Sequence, residues 1–192
     1  FGIAADDFLV VYGGNVGAAA GVETLVAAFG HLKGERRIHC LVAGEGSRLG
    51  ACRESAHRMG CDRVHFLSPW PEVDTSPVLT AADLLVLPTS GRQSMYSHPS
   101  KMASYYLAGR PILALACAGS DIVREMEQSR AGWIVAPEDP RSLADAIRKI
   151  ESGDPSLRRQ RGEMGRAYAR SHLTRDVCVR RLVELLEHTA CP

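Results

Sequence analysis

His98-Pro-Ser-Lys-Met-Ala-Ser-Tyr-Tyr-Leu-Ala-Gly-Arg-Pro-Ile-Leu-Ala114 changes character twice within a short span. A polar, proline-containing turn leads into a short helix. Gly109 ends that helix, because glycine accepts the left-handed backbone that follows a last helical turn. Pro111 then opens an apolar run, Ile112–Ala116, with the composition of a buried strand. A helix delivered straight into a buried strand is half of a βαβ unit, and the same alternation recurs in both directions. Further apolar runs stand at Phe8–Tyr12, Ile38–Ala43, Val64–Leu67, Leu84–Pro88 and Trp133–Ala136. Several are continuous where a half-exposed strand would alternate, which is the pattern of strands covered on both faces. Between and after them, three sets repeat with helical spacing: Val22, Leu25, Val26, Phe29 and Leu32; Leu143, Ala146, Ile147 and Ile150; Val179, Leu182, Val183 and Leu186. Strands separated by helices require right-handed crossovers and a parallel sheet. The expected fold is therefore α/β, an open, doubly wound, Rossmann-like parallel sheet of about six strands. It forms a single domain over 1–192, with its core in 7–150 and a helical segment over 151–192. Within that segment, residues 151–176 are charged and poor in large apolar residues. They read as exposed helix and loop leading to a final packed helix.

Composition narrows the classes of function. A chain of 192 residues with 45% apolar and 23% charged residues can bury one good core and is ordinary for a soluble protein. It holds no apolar run of the ~18 residues a membrane span needs. The opening Phe1-Gly-Ile-Ala-Ala-Asp-Asp7 lacks the basic region of a signal peptide, and its abrupt start close to a strand fits a piece of a longer protein. Cysteines at 40, 52, 61, 117, 178 and 191 form no C-x-x-C pair, and the histidines form no H-E-x-x-H. The expectation is a reduced, cytoplasmic protein without a structural metal. Net charge is only +1, yet residues 141–181 carry eleven Lys or Arg against five Asp or Glu. Solvated helix faces account for this; attraction to an anionic membrane surface is the alternative. Interleaved aromatics are missing, so nucleic acid is not an expected partner.

In open parallel sheets, ligands bind outside the carboxyl ends of the strands. The turns that follow the first four runs are Gly13-Gly-Asn-Val-Gly-Ala-Ala-Ala-Gly21, Gly44-Glu-Gly-Ser-Arg48, Ser68-Pro-Trp-Pro71 and Thr89-Ser-Gly-Arg92. Polar and rich in glycine, they are expected on one rim as a small-molecule cleft. The turn that enters the helix at Lys101 offers backbone N–H groups and the positive end of a helix dipole, to which Lys101 adds a cation; phosphate or sugar hydroxyls suit it. Gly13, Gly14 and Gly17 let backbone approach an anion closely. Their rhythm departs from G-x-G-x-x-G, and Glu45 sits in a glycine turn roughly 30 residues on, where a dinucleotide fingerprint wants its acidic residue sooner. An NAD-dependent oxidoreductase is thereby the weaker reading. Trp70 either stacks on a base or packs a loop, and His98 either bonds a ligand or is an ordinary loop histidine. Tyr105 and Tyr106 read as packing, and Asp121 and Glu125 as helix-start residues.

Taken in order, Y-G-G-N-V-G with G-V-E-T-L, L-V-A-G-E-G-S, R-V-H-F-L-S, A-A-D-L-L-V-L-P, P-S-K-M-A-S-Y-Y-L-A-G-R-P-I and A-G-W-I-V-A-P-E-D-P-R-S-L-A-D-A-I resemble the C-terminal, donor-binding half of a GT-B-fold glycosyltransferase of the family 4 type. The P-S-K variant is most similar to enzymes that build bacterial exopolysaccharide and O-antigen chains. The resemblance covers roughly residues 8–150. It implies retaining transfer of a sugar from a nucleoside diphosphate donor, UDP or GDP type, to a glycan or lipid-linked acceptor, without a cofactor or an obligatory metal. The place expected from cysteine usage is cytoplasmic, with peripheral contact at the inner face of the membrane as the alternative reading of the basic excess. The acceptor domain and its histidine would belong to a missing N-terminal half, which leaves no catalytic residue in this stretch and makes it inactive alone.

Position by position, the resemblance turns Gly14, Asn15 and Gly17 toward the donor diphosphate. It sets Gly44, Gly46 and Arg48 beside the nucleotide, and Leu67 and Ser68 near the base. Ser100 and Lys101 meet the diphosphate or sugar, and His98, on its own chemistry, is counted with them as a candidate donor ligand. Ser104 stands where many relatives grip the ribose with a glutamate, and a serine cannot form that charge-assisted pair. Ala18-Ala19-Ala20 occupies a stretch where relatives commonly carry a Lys or Arg, leaving Lys101, Arg48 or Arg92 to compensate. These two departures make a non-catalytic nucleotide- or sugar-binding regulatory domain the alternative.

Overall fold

All six apolar runs become strands: β1 (Phe8–Gly13), β2 (Ile38–Ala43), β3 (Val64–Leu67), β4 (Leu84–Leu87), β5 (Ile112–Leu115) and β6 (Gly132–Val135). They form one sheet in the order β3-β2-β1-β4-β5-β6, with every neighbouring pair parallel. The structure, a computed structural model, describes residues 1–91, 95–96 and 98–190. Arg92 and Cys191 lie outside the described residues. The chain leaves β1 in one direction through β2 and β3, then crosses back to β4 on the other side. Strand order therefore reverses between β1 and β4, which opens a crevice at their carboxyl ends.

Alternate side chains of each strand feed two cores. Phe8, Val10 and Tyr12 pack with α1 (Val22–His31), α2 (Leu49–Arg58) and α6 (Pro140–Glu151). Val11, Leu85 and Leu87 pack on the opposite face with α3 (Thr75–Ala81), α4 (Lys101–Ala108), α5 (Asp121–Ser129) and α7 (Pro155–His172). Val22, Leu25, Val26, Phe29 and Leu32 are all buried, so the helical spacing marks the inward stripe of α1 and the turn that closes it. Asp139 and Asp154 cap α6 and α7 through backbone amides, each followed by a proline at the first helical position.

The last segment departs from the sequence reading. Residues 155–172 form one helix of 18 residues that packs closely against α4. Its buried residues are Gly162, Gly165 and Ala169. A Cβ on Gly162 would stand 2.2 Å from the Gly109 carbonyl oxygen, and one on Gly165 would stand 2.9 Å from the Ala131 side chain. Small residues let two helices touch without a large apolar stripe, so a search for large apolar residues sees only charge. The final helix α8 (Arg175–Ala190) corrects the opposite expectation: Val179, Leu182, Val183 and Leu186 are 45–58% exposed.

One pair at the sheet edge makes stability sensitive to acid. His39 on β2 and His65 on β3 stack with centroids 5.4 Å apart, and His39 Nδ1 lies 3.1 Å from His65 Nε2. Asp7 is 3.3 Å from the other nitrogen of His39. Burial first, and then His39 and the amino terminus, hold the His65 pKa below its ordinary value of 6.5. A folded-state pKa that is depressed means the unfolded chain takes up the proton first, so this contribution is present above about pH 6.5 and lost as pH falls. Melting temperature should fall between pH 7.5 and 5.0, and fall less in His65→Gln. Equal losses in both proteins would exclude the pair as the cause.

Candidate functional site

The turns after β1 and β2 lie back to back. Gly14 N donates to Ala43 O at 2.9 Å, Val16 N to Glu45 O at 2.7 Å, and Arg48 N to Val16 O at 3.0 Å. Contact is close because neither turn has a Cβ in the way: one added to Gly44 would lie 1.9 Å from Gly14 O. Beyond them, the segment that approaches α4 is tied to the start of the α1 unit. Ser90 donates through its hydroxyl to Ala18 O at 3.1 Å and through its amide to Ala19 O at 3.3 Å. A Cβ on Gly21 would stand 2.8 Å from the Thr89 carbonyl carbon. Between these turns opens a cleft of about 360 Å³, lined by Asn15, Gly17, Ala18–Ala20, Leu87–Thr89, Pro99 and Lys101.

Lys101 supplies the charge of this cleft. It is the first residue of α4, and its ammonium folds back over the β1 turn, where a Cβ on Gly14 would meet Nζ at 2.8 Å. Nζ donates to Tyr12 Oη at 2.6 Å and stands 4.2 Å from the centre of the Tyr12 ring. Tyr12 in turn donates to Asn15 O at 2.6 Å. Among the described residues, no carboxylate pairs with Lys101. Burial disfavours its charged form and draws its pKa from 10.5 down to about 8. The ammonium is thus still charged at neutral pH, lightly solvated, and held by a hydroxyl and a π face worth about 0.5–2 kcal/mol.

The neighbouring tyrosines hold the frame. Gly13 N donates to Tyr105 Oη at 2.9 Å, which returns a bond to Gly13 O at 3.2 Å, so α4 is fixed to the end of β1. Burial pushes the phenols of Tyr12 and Tyr105 well above their usual range, and both stay neutral. Tyr106 lies buried against α5 and α7. Trp70 packs on the end of β1: a Cβ on Gly13 would meet its ring at 2.7 Å.

The structure gathers only part of the set expected from sequence. Asn15, Gly17 and Lys101 line the cleft, and Gly14 lies beneath the ammonium. Gly44 and Gly46 support Gly14 and Val16 from behind through their backbone. Ser100 precedes α4, exposed, its hydroxyl making no capping bond. Leu67 ends β3 and accepts from Gly44 N at 3.0 Å, with Ser68 half-buried after it. Three residues go elsewhere. Arg48 Nε pairs with Glu23 at 2.6 Å, and His98 pairs with Glu125 at 2.6 Å. Ser104, exposed one turn along α4, lines a separate cleft of about 420 Å³ with Val73, Thr75, Ser76, Leu79 and Leu107. Tyr12 was missed, although its place as the last side chain before the first glycine turn was a signal.

Residues 7–152 match the family model described as glycosyl transferases group 1. A curated relative, the probable glycosyltransferase WbjE of Pseudomonas aeruginosa, is 28% identical over 137 residues, 71% of this chain and 34% of that protein. Sucrose-phosphate synthase from Thermosynechococcus elongatus superposes with a TM-score of 0.79 at 23% identity, covering 97% of this chain and 46% of the other. HepE of Anabaena, solved in complex with UDP-glucose, gives a TM-score of 0.81 at 17% identity over 96% of this chain and 50% of its own. The chain spans about a third of the length of the curated relatives it matches. The P-S-K segment, the paired glycine turns and the switch-point cleft all fall within the matched region, and the chain belongs to the group 1 family of glycosyl transferases.

Proposed function

We propose that this chain binds the nucleoside diphosphate sugar, UDP or GDP type, for a retaining glycosyltransferase whose acceptor is a glycan or a lipid-linked hydroxyl. One observation carries this reading: a half-buried ammonium with no carboxylate partner among the described residues, set at the switch point where the β1 turn meets the start of α4. Such a cation fits a diphosphate. As the sugar–phosphate bond breaks, negative charge grows on the leaving diphosphate, and Lys101 with the α4 amino end would stabilise it. The solved relative that holds UDP-glucose supports the donor class. The chain covers about a third of its curated relatives, so transfer would need parts that these 192 residues do not contain, and binding is the activity to measure.

A second reading, a binding domain without catalytic duty, is favoured by Ala18–Ala20 in the cleft lining and by the pairing of Arg48 with Glu23. Thermal melts with UDP, GDP, ADP and NAD separate the two. A ligand at about a hundred times its dissociation constant adds roughly 2.7 kcal/mol, a rise of roughly 5–10 °C for a chain of this size. Stabilisation by one nucleoside diphosphate and none by NAD is expected. No response to any of the four would favour the second reading, and a response to NAD alone would overturn both.

A further inference from the structure

A second concentration of positive charge lies at the other end of the sheet. Asp83 precedes β4 and Arg110 precedes β5. There, at the amino ends of those strands, a cleft of about 410 Å³ is lined by Arg110, Arg158, Arg159 and Arg166 together with Asp83 and Glu163. The donor cleft opens at the opposite, carboxyl ends. Among the described residues, none of the four guanidinium groups pairs with a carboxylate, although two carboxylates share the lining. Asp83 is occupied in accepting from Leu9 N at 2.8 Å.

Two of the arginines are fixed in place. Arg158 donates to the carbonyls of Ile150, Glu151 and Gly153, closing the end of α6. Arg166 donates to the carbonyls of Leu107 and Ala108, closing the end of α4. Carbonyl partners leave a guanidinium its full charge. Among the described residues the side chains of Arg110 and Arg159 make no hydrogen bond, and Arg159, like Arg158, interacts with the Asp154 carboxylate only through its field, so the planar donor forks of Arg110 and Arg159 stand ready for an anion. Four guanidinium groups against the two carboxylates of Asp83 and Glu163 leave the concavity net positive, and guanidinium forks match phosphate oxygens in pairs.

We propose that this arginine-lined cleft is a second anion site that takes a phosphate group, either as the free ion or as the headgroup of an anionic phospholipid. To silence the donor cleft, inorganic phosphate is titrated calorimetrically into Lys101→Ala protein, with and without Arg110→Ala and Arg159→Ala. Both chains are also sedimented with phosphatidylglycerol vesicles and with phosphatidylcholine vesicles. The arginine replacements are expected to weaken binding at least roughly tenfold, the scale of one lost charge-assisted bond. Arginine-dependent binding of phosphate alone assigns the free ion. Arginine-dependent pelleting with phosphatidylglycerol and not phosphatidylcholine assigns the headgroup. In the Lys101 background of the parent chain, melting and stabilisation by nucleoside diphosphate should be unchanged by the two replacements. The exposed Arg159 is also replaced alone (Arg159→Gln), so that a folding defect in the double variant does not decide the outcome. If neither probe binds, or if both bind equally with and without the arginines, the site is overturned.

Discussion

Gly44→Ala should be among the most damaging single-methyl changes in this protein, lowering the unfolding free energy by about 3 kcal/mol or more. Its Cβ would stand 1.9 Å from the Gly14 carbonyl oxygen, and the backbone there has φ +146°, a conformation that side chains rarely adopt. A flexible neighbour could swing away, but this one is backbone, and it is held by Gly14 N bonding to Ala43 O. Relief would have to separate the two turns and break the bonds from Val16 N to Glu45 O and from Arg48 N to Val16 O. Losing about 3 kcal/mol lowers the melting temperature by roughly 6–12 °C for a chain of this length. Gly50→Ala is the control. Gly50 lies near the start of α2 with nothing within 4 Å of the added methyl, so the change should be neutral or stabilising by up to about 1 kcal/mol. If Gly44→Ala melts with the parent, the back-to-back packing of the turns is not what sets their shape.

Residues whose environment is local were legible in the sequence. β4 and β5 are buried at every position, so an unbroken apolar run announces a strand covered on both faces. α6 shows its inward stripe in Leu143, Ile147 and Ile150. α7 was not legible, because its contact with α4 is made by the absence of side chains at Gly162 and Gly165. A charge-rich segment with two glycines looks the same whether its glycines face water or another helix.

The site divides along the same line. Strand-end glycines and the helix start at Lys101 could be read from the turns that carry them. That Lys101 reaches Tyr12, 89 positions earlier, is a property of the crossover from β4 to α4 and the packing of α4 on β1. Arg48 is placed by a contact that the sequence does not show. It follows a glycine turn and looks like a phosphate ligand, but Glu23 on α1 faces it across the turn and takes the guanidinium. His98 has the same history with Glu125. Of these three side chains Lys101 lines the cleft, while Arg48 and His98 are turned toward carboxylates of other elements.

Lys101→Met should weaken nucleoside diphosphate binding roughly ten- to hundredfold, the loss of about 1.5–3 kcal/mol for a charge-assisted bond, while making the free protein harder to unfold. The two effects share one cause. Burial lowers the Lys101 pKa from 10.5 to about 8, so at neutral pH the fold holds a charge that water would hold more favourably. Methionine fills a similar volume over Gly14 and the Tyr12 ring without that penalty. The sign with pH follows from linkage. Between about pH 8 and 10.5 the unfolded chain binds the proton that the folded chain has released, so this contribution to stability improves as pH rises through that window. Binding moves the other way, because a neutral amine attracts no diphosphate: affinity of the parent should fall from pH 7 to 9, whereas that of Lys101→Met should stay nearly level. Melting and titration calorimetry at pH 7 and 9 on both proteins test this. A variant that binds weakly because it is poorly folded would melt lower, so weaker binding together with a raised melting temperature is the signature of a charge kept for its ligand. Binding as tight as the parent's, with no change in pH dependence, would remove Lys101 from the donor site and leave its burial without a functional reason.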